Sequence, residues 1–364
     1  MAEAEPPGTP PPPPIARAQL QQLFTALTTS LHAKKKKKKR GKKKSVGNAH
    51  LPEDTSAASF RLAAAFVPRA IDLFVDMERV LDVGIQVESR TPDDPPLDLD
   101  QDDQRHLAAY RELMEFKPVL HQLLGSSEFI EAENGAPFET LVRLLEQGFS
   151  NGRSDDTRKL RQHVVTYAIP DGWAPREVPD TSPGASKAGR GFRSELTARM
   201  LCPIAYMGEF NANPTSVMQR IESGELRVTA EQLPSFLYPD DHPYDRANLY
   251  NGLFKSRVLV RAWRHNFTGP ASALEALKKS NGPACLAKVY GLQHVTARTL
   301  CYIAAQVHVG LSSLEHWSVI DGNFNLRDFY DSLVRLFEVF KRRPERLVQP
   351  AVISDFEQLA AQAV

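Results

Sequence analysis

Residues 295–314 read VTARTLCYIAAQVHVGLSSL, and the spacing in this stretch decides the fold class. Leu300, Ile303, Ala304, Val307, Leu311 and Leu314 recur at three- and four-residue steps, which on a helix form one broad apolar face. A face that wide predicts a helix sunk in a core. Residues 323–343, NFNLRDFYDSLVRLFEVFKRR, repeat the period and carry their own punctuation. Asn323 or Asn325 suits the start as a cap, Lys341, Arg342 and Arg343 suit the electronegative end, and Pro344 stops the helix.

Outward from this pair the same period returns. Ile71, Phe74, Val75, Val80 and Leu81 fall at helical intervals within RAIDLFVDMERVLDVGIQV, with Pro68 expected in a first turn or at a kink. Leu107, Tyr110, Leu113, Met114, Leu120 and Leu124 predict a helix over 101–124, kinked at Pro118 and ended by Gly125. Residues 137–149 and 153–168 predict two helices joined through Asn151-Gly152, and a short helix is expected over 353–362. Period two is weak, with strand candidates only at 226–228 and 257–261, and no internal repeat occurs. The expected class is all-α (mainly α): an irregular multi-helix bundle with long loops and a disordered N-terminal arm.

The chain has 364 residues, 42% hydrophobic and 24% charged, enough to bury a core. No apolar run reaches the ~20 residues needed to span a bilayer, so a soluble protein with no transmembrane segment is expected. The start, MAEAEPPGTPPPPP, is acidic and proline-rich and lacks the basic, apolar character of a secretory signal. Cys202, Cys285 and Cys301 form no CxxC pair, which predicts reduced, buried thiols and a cytosolic or nuclear setting.

The net charge of +1 hides a partition. Lys34, Lys35, Lys36, Lys37, Lys38, Lys39, Arg40, Lys42, Lys43 and Lys44 put ten positive charges into eleven positions, leaving −9 on everything else. So dense a run reads as a nuclear import signal, with or without nucleic-acid contact; anionic lipid binding and a merely solubilising tail are the alternatives. The expected layout is a Pro-rich and Lys-rich arm over 1–56 with a short amphipathic helix at 15–33, then a helical part over 57–169. A loop over 170–191, read as a boundary or a functional flap, leads to a helical core over 192–343 and a tail over 344–364 with a short helix.

Several constellations invite chemistry, and each has a plainer reading. His294, Cys301 and His308 fall seven apart and so on one helical face, but seven helical residues rise ~10.5 Å, too far for neighbours to share a metal. Asp240, Asp241, His242 and Asp245 form an acidic patch between Pro239 and Pro243, where Asp suits a turn as well as a metal or proton transfer. Cys202 lacks a histidine nearby in sequence and reads as a buried thiol. Arg257, Arg261 and Arg264, with His265, make a basic stripe if helical: a possible secondary basic surface, or a salt-bridged helix. No Walker loop, GxGxxG turn, HExxH helix, GxSxG elbow or zinc-finger spacing occurs. No cofactor, metal or catalytic residue is therefore assigned.

From about Gly189 to Phe340 the chain resembles a family of uncharacterised proteins, a domain of unknown function abundant in mushroom-forming fungi. The resemblance rests on TARMLCP (197–203), ESGE with VTA (222–230), LPSFLYP (233–239), NGLFKS (251–256), FTGPASA (267–273), HVTARTLCYIAAQV (294–307), GLSS (310–313) and FNLRDFYDSLVRLFE (324–338). After LCP this chain has IAYMGEFNANP where the family has an aromatic and acidic segment. The resemblance implies a variable arm on a shared helical core and carries no activity, cofactor or site residue. The functional expectation is a non-enzymatic binding or scaffold protein, nuclear with cytoplasm as the alternative. Its expected partners are an import receptor, nucleic acid or an acidic protein. The competing expectation is an enzyme of unknown reaction with a site built from loops near 170–191 and 238–245.

Overall fold

The computed structural model describes residues 56–131, 135–170, 177–274, 285–342 and 353–358. Of these, 63% are helical. Among them the only sheet is a two-stranded antiparallel hairpin, so the all-α class holds. The basic run and the amphipathic segment 15–33 lie outside the described residues. The chain forms two compact units: residues up to Val67 with Val75–Ser150, and Pro68–Phe74 with Asn151 onward.

The first unit holds α1 (Ala57–Phe66), α2 (Met77–Glu88), α3 (Gln101–Phe116), α4 (Pro118–Leu124), α5 (Ser127–Ile130) and the start of α6 (Ala136–Arg161). Its helix starts are set by side chains. Ser56, Asp76 and Asp100 each accept a backbone N–H three residues on, satisfying donors the helix leaves orphaned. The helix expected over 101–124 breaks into α3 and α4 at Lys117 (φ −131°, ψ 73°), because Pro118 excludes the helical conformation from the residue before it. Lys117 is wholly buried and donates to Ser59 Oγ at 2.6 Å. Gly84 lets α2 meet α3: a Cβ there would stand 2.2 Å from the Tyr110 ring.

The second unit adds α7 (Val164–Ala168), α8 (Glu195–Leu201), α9 (Met207–Ala212), α10 (Pro214–Glu222), α11 (Arg257–Phe267), α12 (Leu286–Val289) and α13 (Ala297–Leu311). The hairpin β1 (Ile320–Asp321) and β2 (Phe324–Asn325) and then α14 (Leu326–Arg342) follow. Residues 353–358 are helical. α13 is the centre: every residue from Thr299 to Leu311 is buried, more than the single face its sequence foretold. Thr296 and Thr299 close a reciprocal capping box at its start. α7, α8, α11 and α14 pack on it.

Three local expectations are corrected. Residues 137–149 and 153–161 form one continuous helix through Asn151-Gly152, followed by the short α7. Gly148 is in this helix because a Cβ would meet the Arg61 carbonyl at 2.4 Å, so close packing outweighs glycine's poor propensity. The strand candidate at 257–261 is the first half of α11, capped by Ser256, and 226–228 is not a strand. The hairpin lies instead at 320–325, with Ile320 opposite Asn325 and Asp321 opposite Phe324, closed by Gly322 (φ +60°) and Asn323. The helix foreseen through Ile71 and Phe74 also stops early: a π-turn spans Val67–Ile71 and α2 starts only at Met77.

Candidate functional site

The acidic patch becomes a folded loop at one edge of the second unit. Pro203 bridges to Pro234 and the Ile204 N–H bonds to the Leu233 carbonyl, which fixes LCP against LPSFLYP. Beyond that lock, Asp240 pairs with Arg257 of α11 at 2.8 Å and Asp241 with Arg199 of α8 at 2.6 Å. Arg199 also donates to Asn211, and Asp241 adopts a left-handed backbone (φ +56°), which Asp tolerates better than most residues. His242 stacks on Tyr238 with centroids 5.3 Å apart, against Gly252, where a Cβ would approach the imidazole to 2.7 Å. The Asp245 carboxylate accepts the Ala247 N–H, a turn role. Arg199, Asn211, Ser235, Tyr238, Asp241 and His242 help line a pocket here of ≈ 20 Å³, room for about one water. Among the described residues of 170–191, none lines it.

The basic stripe on α11 is only partly a surface. Arg264 is buried, Arg257 is paired as above, and Arg261 donates to the Tyr167 carbonyl at 3.4 Å. His265 is buried and hydrogen-bonded through Nδ1 to the Tyr167 hydroxyl at 2.9 Å. Burial first, then His163 and Lys159, lower its pKa to about 4, so the imidazole is neutral. His294, Cys301 and His308 do not share a face, since His294 precedes α13 and is exposed while the other two are buried. His308 stacks on Phe324 at 3.9 Å, and burial lowers its pKa to about 3. Burial pushes the Cys202 thiol up to about 12 and raises Cys301 too, the reverse of what a nucleophile needs. Among the described residues no group of three or more His, Cys, Asp or Glu side chains is placed to hold a metal ion.

Two polar clusters escaped the sequence reading, both in the second unit. In one, Arg69 makes a bidentate pair with Asp156 at 2.7 and 2.9 Å, and donates to the Tyr290 hydroxyl and the Gly152 carbonyl. The Tyr302 hydroxyl donates to Asp156 at 2.8 Å, and Gln306 links Tyr302 to Thr157. Burial is the largest single influence on the Arg69 pKa and would lower it, but Asp156, Tyr290 and Tyr302 together outweigh it and the net direction is upward. In the other, Lys187 Nζ donates to the Val309 and Leu314 carbonyls, and Arg190 donates to the Gly310 carbonyl at 2.7 Å. These two side chains donate to carbonyls that the end of α13 leaves without partners inside the helix. The described part of the expected flap is thus a strap held by two buried basic side chains.

A helical domain centred on a buried helix, with its buried charges tied to carboxylates and carbonyls of its own chain, is the class these observations define. The chain belongs to the Family of unknown function (DUF6698), whose model matches residues 147–349, more than half its length. The match begins within about one helical turn of Asn151, where the second unit begins, and reaches further toward the N-terminus than the resemblance noted from Gly189. No curated protein and no solved structure matches the chain. Among the described residues no helix is long and apolar enough to cross a membrane.

Proposed function

We propose that this is a non-enzymatic binding or scaffold protein that acts in the nucleus and contacts protein or nucleic acid through Lys34–Lys44. The single observation carrying the reading is the charge partition: ten positive charges in eleven positions against −9 elsewhere. The pairing of Arg69, Arg199 and Arg257 with carboxylates supports it, since cations already matched to carboxylates are poorly placed to meet phosphate. Lysines are point charges without the bidentate geometry that reads bases, so binding would be salt-sensitive and weakly sequence-specific. The import receptor, the mushroom-type fungal provenance of the family and the arm's variability belong to the same proposal.

Replacing Lys34–Lys39 and Lys42–Lys44 with Gln tests it. A fluorescent fusion should leave the nucleus and DNA binding at low salt should fall away, with the melting temperature unchanged. Unchanged import and binding would sink the reading. The enzyme reading keeps one observation in its favour, the convergence of Arg199, Asn211, Asp241 and His242 on one pocket. A cavity with room for about one water admits a substrate only if Asp241 parts from Arg199.

A further inference from the structure

We propose that residues 177–190 form a pH-responsive strap, closed on the carbonyl end of α13 through Lys187 and released by acid. The geometry is a cluster of charges joined by long-range contacts. Lys187 is 2% exposed and Arg190 1% exposed, although both come from a stretch rich in Pro, Gly and Ser. Lys187 Nζ donates to the Val309 and Leu314 carbonyls, with Ser312 Oγ at 3.5 Å. The backbone follows the side chain: the Lys187 N–H and the Ser186 hydroxyl donate to Glu315, and Arg161 of α6 reaches both Glu315 and the Ala185 carbonyl.

What distinguishes Lys187 is its company. Among the described residues no carboxylate lies within ion-pairing distance of Nζ. The charged and titratable groups facing it are Arg190 on the strap, Arg161 on α6, His308 on α13, Glu315 after α13 and Asp321 on β1. Burial, then Arg190 and Arg161, lower the Lys187 pKa to about 7, and Asp321 and Glu315 oppose this only in part. In a released strap the amine is back in water with its ordinary value of 10.5. Between about 7 and 10.5 the released strap therefore binds more protons than the closed one, so closure strengthens as pH rises through this window. Below about 7 both forms are protonated and closure is at its weakest.

The neighbours leave the lower part of this window to Lys187. Glu315 is held at about 2 by Ser186, the Lys187 N–H and Arg161, while burial holds His308 neutral down to about 3. Arg190, lowered to about 10 by burial and Arg161, titrates above pH 9. Burial raises Asp321, so Asp321→Asn is the control for that carboxyl.

Hydrogen exchange of the full chain reads the strap directly, through the amides of Lys187 and Arg190, which bond to Glu315 and to the Lys187 carbonyl. After correction for the intrinsic base-catalysed rate, protection should rise by up to about tenfold per pH unit between pH 7 and 9. The rise should persist in Asp321→Asn and vanish in Lys187→Met. Protection that does not change with pH in the native chain, or an equal rise in Lys187→Met, overturns the proposal. Should Lys187→Met fail to fold, competitive amine labelling of the native chain gives the Lys187 titration itself. A midpoint near 7 supports the strap, and one near the ordinary 10.5 overturns it.

Discussion

Arg69 and Lys187 make an instructive pair. Both are cations of the second unit, 4% and 2% exposed, and both hold distant segments together. Their pKa values nevertheless move in opposite directions, Arg69 upward and Lys187 down to about 7. The difference lies in the counter-charge. Arg69 has a bidentate carboxylate with further hydrogen bonds on both partners, whereas Lys187 has neutral carbonyls and a second cation alongside. A buried charge with its own carboxylate is a fixed structural joint. One held by dipoles alone is conditional on its proton, which makes it a candidate switch.

The sharpest way to break this contrast is to remove the carboxylate. Asp156→Asn should destabilise the protein by about 3–5 kcal/mol in urea unfolding, because it strands a buried guanidinium. Lys187→Met removes the buried charge itself and should cost only about 1–2 kcal/mol, the worth of its hydrogen bonds to the helix end. If Lys187→Met proves the more damaging, the joint and the switch have been assigned the wrong way round.

Acid provides the next test. His265 and His308 are neutral in the fold, with pKa values lowered to about 4 and about 3, against the ordinary 6.5 when unfolded. Their folded values are depressed, so the unfolded chain binds the extra protons and stability falls as pH drops below 6.5. Each histidine should contribute a slope of up to about 1.4 kcal/mol per pH unit between pH 6 and 4.5. Urea titrations over that range should show the slope, and His308→Gln should remove about half of it. A flat stability profile would mean that these imidazoles are charged inside the fold.

Within the Arg69 network, Tyr302→Phe deletes one hydroxyl donated to Asp156 and should cost about 1–2 kcal/mol by chemical denaturation. The smallest effect belongs to the surface loop. The Asp241 side chain is 83% exposed, so Asp241→Asn should change stability by less than about 1 kcal/mol. A larger loss there would mark the Arg199 pair as a structural lock rather than a surface contact.

Much of the fold was legible because helical burial writes a local period. α3, α13 and α14 show their apolar rows at three- and four-residue steps, and Pro118 marks where a helix breaks. Misreadings came where a tertiary contact outweighs a local signal. Asn151-Gly152 suggests a turn, yet the helix runs through it, and the Gly152 carbonyl accepts from Arg69. Val258 and Val260 alternate like a strand, but the Ser256 cap and the packing face of α11 make a helix. The hairpin carries its own local cue, the two-residue Gly322-Asn323 loop between short strands.

The sequence by itself determined the all-α class, the buried helix at 297–311, the family signature and the uneven charge, because each is a matter of local order or of counting. Only the tertiary structure decided which charges are buried and what they face. Arg69 meets Tyr290 across 221 positions and Lys187 meets Val309 across 122, so no spacing rule connects them. An ion's pKa and its structural value depend on burial and on the nearest opposite charge, and both are properties of chain segments brought together from far apart.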